Sequence, residues 1–252
     1  ISSLVSTSSR KPSKSLCVVQ VEFVEFPRDR SFIGVMVDDL VTKGVEDPYR
    51  MLTARAEHRL LLRHDNADER LTPLSISLGL ACDERRERFE RKQSLIERGL
   101  SSLRTSYVLE AHNEVLEDER IAPVRGRSSL FDLLKRPGGG LVQIERIAAR
   151  CGLDATVPTE RHAPLSYGSV EHTARQQIET VAVYDGYLQR QQVEADRARG
   201  LEGMAIPASF EYERLKGLSY ESVEKLTRVR PTTLGQASRV PGVRPADIAL
   251  LI

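Results

Sequence analysis

The sequence predicts a mainly α-helical fold, and three stretches carry that expectation. Residues 83–116, "DERRERFERKQSLIERGLSSLRTSYVLEAHNEVL", are charged, proline-free and rich in helix formers. Residues 170–200, "VEHTARQQIETVAVYDGYLQRQQVEADRARG", continue a helical pattern up to a closing glycine. The last 35 residues read as short helices joined through a Val240-Pro241-Gly242-Val243 turn. At 252 residues the chain can bury a real core as one large domain or two small ones.

Taken in order, "CVVQVEFVEF" (17–26) is β-branched and partly alternating, which suits one strand. "SFIGVMVDDLV" (31–41) is apolar on both sides and reads as a buried helix or a strand; periodicity does not decide between them. In 83–116, Phe89, Ile96, Leu100 and Leu103 recur at steps of seven, four and three, one apolar stripe on an otherwise solvated Arg/Glu helix. Asp83 is placed to cap it, and Glu84–Arg88 and Glu87–Arg91 are spaced as i,i+4 pairs. "SLFDLLKRP" is a short amphipathic helix stopped by Pro137, and Gly138 to Gly140 read as a linker. Gly186 inside 170–200 predicts a close approach by a neighbouring backbone, because a mid-helix glycine costs about 1 kcal/mol against alanine. Ser219 is the expected cap of the helix that follows it.

Composition excludes several classes of function. Hydrophobic content of 40% and charged content of 29% are those of an ordinary globular chain. A net charge of +1 argues against a globally basic coat, so any nucleic-acid surface must be a local patch. Cys17, Cys82 and Cys151 support neither a zinc knuckle nor a disulfide framework. No apolar run approaches the length of a membrane span. No Gly-x-Gly-x-x-Gly, Gly-x-Ser-x-Gly or Walker-type loop occurs. His58, His64 and Asp65 match no familiar ligand spacing, and no catalytic residues and no metal are assigned.

The arginines are more informative. If 53–63 is helical, Arg55, Arg59 and Arg63 fall at i, i+4 and i+8 on one face, with Leu60 and Leu61 turned toward a core. Such a stripe needs anions, from nearby acids or from an external phosphate whose geometry the guanidinium fork matches. The adjacent Asp38 and Asp39 diverge in either a helix or a strand, which makes them poor as an acid/base pair. They call instead for arginine partners, expected downstream. The terminal hairpin can likewise aim backbone N–H groups at a phosphate, or serve only as a packing unit.

Three segments together resemble one family. They are "SFIGVMVDDLVTKGVEDPYRMLTARAEHRLLLRHDNADERL" (31–71), "YDGYLQRQ" (184–191) and "IPASFEYERLKGLSYESVEKLTRVRPTTLGQASRVPGVRPADIALLI" (206–252). In order and spacing they resemble the C-terminal part of the GidA/MnmG family of tRNA uridine 5-carboxymethylaminomethyl modification enzymes. The resemblance runs from about residue 24 to the end. It implies a homodimeric flavoenzyme of the cytoplasm that uses FAD and NADH. With an MnmE-type GTPase partner, such an enzyme modifies the wobble uridine of tRNA. It also implies a C-terminal helical domain that contacts tRNA and the GTPase.

The resemblance divides the chain into 23–70, a short remnant of an α/β flavin-binding domain; 71–205, a helical bundle; and 206–252, a small terminal helical subdomain. Residues 1–22 match nothing in the family and are expected to be a disordered or artefactual tail. Their Ser-rich, acid-poor composition also suits an organellar transit peptide. The glycine-rich flavin motif and the NADH region are absent, so the chain by itself is expected to hold no cofactor and to be inactive. The tRNA-contact candidates are Arg50, Arg55, Arg59, Arg63, Arg230 and Arg239. The partner-contact candidates are Leu234, Val240, Ile248 and Leu251. A helical protein-interaction module without nucleic-acid binding is the alternative.

Overall fold

In the computed structural model, residues 4–6, 21–42, 48–158 and 168–252 are described. The chain divides into two compact units, residues 1–62 with 189–252, and residues 63–188. The first unit therefore joins the expected flavin-domain remnant to the terminal helices.

The first unit begins with β1 (Leu4–Ser6) paired antiparallel to β2 (Val21–Phe23). The rest of the expected tail, 1–3 and 7–20, lies outside the described residues, as do 17–20 of the predicted strand 17–26, within which 21–23 form β2. The ambiguous apolar stretch resolves as a helix, α1 (Phe32–Thr42). Its start is fixed by Ser31, whose hydroxyl accepts the Gly34 N–H (2.9 Å). Gly34 is obligatory there, because a Cβ would run into the carbonyl oxygens of Phe26 and Pro27. Val35, Ala56 and Leu62 form a small core with Phe32 against it.

The second unit holds α2 (Ala67–Ser77) and the long α3 (Asp83–Thr105). In α3, Ile96 and Leu103 are buried and Phe89 and Leu100 half-buried, as the stripe predicts. The helix is shorter than the charged stretch. Ser106 turns extended, and β3 (Tyr107–Val108) pairs antiparallel with β4 (Ser128–Ser129), with α4 (Asn113–Asp118) between them. Then come α5 (Leu130–Leu134), capped by Ser129, and α6 (Leu141–Arg150). Leu103, Leu116, Leu130, Leu133, Leu141, Ile144, Ile147 and Ile178 make the centre of its core. Within that core Arg175 donates to both oxygens of Glu145 (3.1 Å each) and to the Pro158 carbonyl (2.7 Å), so the buried charge is fully paired.

The 33-residue α7 (Val170–Glu202) supplies residues to both units. At Gly186, among the described residues, nothing lies within 4 Å of where its Cβ would stand. Besides Gly34, close approaches occur at Gly99, against Ile178 Cδ1 (2.6 Å), and at Gly235, against the Glu202 carboxylate, among others.

The terminal helices α8 (Tyr220–Val229), α9 (Leu234–Ser238) and α10 (Pro245–Leu251) belong to the first unit. Tyr212, Leu226, Ala237, Val240 and Ile248 pack together at their centre. Ser219 caps α8 as predicted, accepting the Ser222 N–H (3.1 Å).

Candidate functional site

The stretch 53–63 is not a helix. It makes one 3-10 turn, Thr53–Arg55, and then runs irregularly. The reason lies far along the chain. The N–H groups of Leu60 and Leu61 both donate to the side-chain oxygen of Gln191 (2.7 and 3.1 Å), that of Leu61 sharing its proton with the His58 carbonyl (3.1 Å). Leu62, not Leu60 or Leu61, is the fully buried member of the apolar run. The proposed face of Arg55, Arg59 and Arg63 therefore does not exist.

Each of those arginines goes its own way. Arg55 stacks on the Tyr49 ring (4.5 Å to the centroid) and stands 3.9 Å from Asp39. Arg59 is exposed, with one long bond to the Thr53 hydroxyl (3.5 Å). Arg63 is half-buried and gripped by Asp65 through its Nε (2.9 Å) and Nη2 (3.0 Å). Arg50 is exposed.

The strongest electrostatic feature of the first unit is centred on α1. Asp39 is 2% exposed. Arg28 Nη1 donates to Asp38 and Asp39 (2.9 Å each) and to the Val35 carbonyl (3.1 Å), while its Nη2 donates to Glu57 (2.6 Å). Burial works against the Arg28 charge, but Glu57, Asp39 and Asp38 outweigh it and raise its pKa. The Tyr49 hydroxyl donates to Asp39 (3.0 Å); burial and then that carboxylate push the phenol pKa up. Arg239 grips Asp38 from the other side (2.9 and 3.1 Å) and also pairs with Glu202. The downstream partners of the twin aspartates are thus Arg55 and Arg239, and the principal one, Arg28, lies upstream. The cluster ties α1 to Arg28, Tyr49 and Glu57 on one side and to Arg239 of the terminal helices on the other.

Arg239 is therefore half-buried among acids, which leaves little of it for a phosphate. Arg230 closes α8 in a left-handed conformation (φ 52°), is exposed, and donates to the Phe210 carbonyl (3.1 Å). The start of α10 is occupied by the chain itself: Asp247 accepts the Arg244 N–H (3.1 Å) and the Ser222 hydroxyl (2.7 Å). Bonds from Arg244 and then Ser222 hold its pKa well below the usual carboxylate range. The partner-contact candidates need a correction. Leu234, Val240 and Ile248 are buried, and Leu251 packs on the same core, because short helices must spend their apolar faces on one another. The apolar groups that do face outward at this end are Tyr220, Leu250 and Ile252.

Around Gly138 to Gly140 no phosphate loop forms: the first N–H of α6, that of Leu141, is taken by Glu179 (2.9 Å). No grouping of three metal-ligand side chains occurs among the described residues, and no described helix is long and apolar enough to cross a membrane.

Comparison with known proteins decides the family. Residues 83–192 match the "tRNA modifying enzyme MnmG/GidA C-terminal helical domain", and residues 194–252 match the "tRNA modifying enzyme MnmG/GidA C-terminal helical bundle". The chain belongs to the MnmG/GidA family. The MnmG tRNA uridine 5-carboxymethylaminomethyl modification enzyme of Heliobacterium modesticaldum is 40% identical over 228 residues, 89% of this chain and 34% of that protein. The enzyme of Roseiflexus castenholzii is 43% identical, over 89% of this chain and 31% of its own length. Aquifex aeolicus GidA, in its form II crystal, superposes with a TM-score of 0.64 at 30% identity, over 91% of this chain and 34% of that one. The chain spans about a third of the length of the MnmG relatives it matches. Its mainly α architecture is that of the C-terminal helical region of MnmG.

Sequence reading missed Arg28, Tyr49 and Glu202 in the cluster around α1. The available signal was the demand of two adjacent aspartates in an apolar segment for more than one cation.

Proposed function

We propose that this chain is the part of an MnmG-type enzyme that contacts tRNA and a GTPase partner, while the remainder of the full-length protein binds FAD and NADH and carries out the wobble-uridine chemistry. The observation that carries this reading is the tandem match of two C-terminal MnmG/GidA models, in order, over 83–192 and 194–252. Homodimerisation and a cytoplasmic setting come with the same reading. Among the arginine candidates, Arg50, Arg59 and Arg230 keep exposed guanidinium groups and are assigned to phosphate contact. Arg55, Arg63 and Arg239 are assigned to structural pairing within their own units, because acids already engage them.

Titrating the 252-residue chain with tRNA at low salt tests the binding role. Micromolar or tighter binding that weakens steeply with salt is expected, since released counterions drive such association. Absence of binding at low salt removes the role. A second reading, a protein-interaction module, is favoured by one observation: the terminal helices leave Tyr220 87% exposed, and Leu250 and Ile252 exposed as well. Deleting residues 217–252 then abolishes capture of the GTPase and leaves tRNA binding unchanged.

A further inference from the structure

The loop between α4 and β4 reads "ERIAPVRGR" (119–127), three arginines to one acid, and all three, Arg120, Arg125 and Arg127, are exposed. The two-stranded ribbon beside it organises the basic groups. Arg127 lies over the Tyr107 ring at 3.5 Å, and Tyr107 pairs across the ribbon with Ser129. Two residues beyond, the Phe131 ring carries Arg104 at 4.6 Å. Arg136 donates to the Ala122 carbonyl (2.8 Å), fixing the loop from its other side.

Three acids of this region already have partners. Glu110 accepts the Gly126 N–H (2.5 Å), Asp118 pairs with Arg150 (2.6 Å), and Asp132 takes the Ser129 hydroxyl (2.7 Å) and Lys135 (3.3 Å). Among the described residues no carboxylate pairs with Arg104, Arg125 or Arg127. An arginine stacked on an aromatic ring keeps its N–H donors in the guanidinium plane, free at the edge and pre-organised for a bidentate oxyanion.

From this juxtaposition we infer that the ribbon face, Arg104, Arg125 and Arg127 with Arg120 at its margin, is a further RNA-binding surface of the 63–188 unit that grips the ribose-phosphate backbone. It rests on the proposed tRNA role and adds a site apart from the arginines of 50–63. It reads no bases: exposed guanidinium groups on a two-stranded ribbon supply position and affinity, not sequence.

The test compares tRNA affinity across a salt series for the 252-residue chain, the double variant Arg125→Ala/Arg127→Ala, and a charge-matched control, Arg85→Ala/Arg98→Ala, from the exposed side of α3. The ribbon variant is expected to lose about tenfold in affinity near 0.1 M salt, with the slope of log K against log salt shallower by about one to two. The control is expected to change little. Arg127→Lys, which keeps the charge but not the planar stack, is expected to keep the slope and lose part of the affinity. Circular dichroism confirms that each variant is folded. If the parent chain binds tRNA and the ribbon variant binds it equally well with the same slope, the ribbon surface is wrong and the wider role stands. Equal losses in ribbon variant and control also overturn it, and a parent chain that binds no tRNA overturns both.

Discussion

The guanidinium of Arg28 lies 2.9 Å from the carboxylate of Asp39, and that carboxylate is 2% exposed. A buried charge that loses its partner must be carried unpaired or neutralised, so removing one side of such a pair costs about 3–5 kcal/mol. Arg28→Ala is accordingly expected to destabilise the first unit by about that much. Urea unfolding of the 252-residue chain measures it. A loss below about 1 kcal/mol would mean that Tyr49 and Arg55 suffice to hold Asp39.

Arg239 joins α1 to the terminal helices through Asp38 and to the end of α7 through Glu202. Hydrogen bonds to charged groups contribute about 1.5–3 kcal/mol each when a partner is deleted. Arg239→Ala is expected to raise amide exchange in both α1 and α9 while leaving α3 and α6 unchanged. Arg230→Ala, which removes one surface bond to a carbonyl, is expected to leave all four helices as they were.

The carboxylate of Asp247 predicts an acid limb. Its folded pKa is depressed, so in the window just below the ordinary carboxylate value, about 3.9, the unfolded chain binds the proton and the folded one does not. Stability from this group is fully present above that value and falls as pH drops toward the folded pKa. Acid titration followed by near-ultraviolet signals from Tyr212 and Tyr220 should show the loss, and Asp247→Asn should flatten it. An acid limb unchanged in Asp247→Asn would assign it to other carboxylates.

What the sequence made legible is what local spacing decides. The 89–103 stripe, the Ser219 cap and the stop after "SLFDLLKRP" depend on neighbours within a turn or two, and all three appear in the structure. What was hidden depends on residues far apart in the chain. Gln191 engages the Leu60 and Leu61 N–H groups across some 130 residues, which no periodicity reveals. Lys92 looked like one more charge on a solvated face, yet it is buried and bound to Asp68 (2.8 Å). Val240 and Ile248 read equally well as a docking patch or a core; only the arrangement of three short helices chooses the core. For the arginines, the sequence gives the charges and the fold decides which acids they meet.

The two glycines in the long helices make a final, paired prediction. Both Gly99 and Gly186 carry the same intrinsic penalty, about 1 kcal/mol relative to alanine in a helix interior. Their surroundings differ. A Cβ on Gly99 would meet Ile178 Cδ1 at 2.6 Å, inside the core of the second unit, whereas a Cβ on Gly186 meets nothing described within 4 Å. Gly186→Ala should therefore raise stability by up to about 1 kcal/mol, from lower unfolded-state entropy. Gly99→Ala should lower it by about 1–3 kcal/mol, because overpacking a dense core exceeds the helix-propensity gain. Thermal unfolding of the two variants beside the parent chain checks both signs. If Gly186→Ala destabilises, a backbone or partner approaches that face in solution, and the reason for a glycine inside "YDGYLQRQ" is that approach.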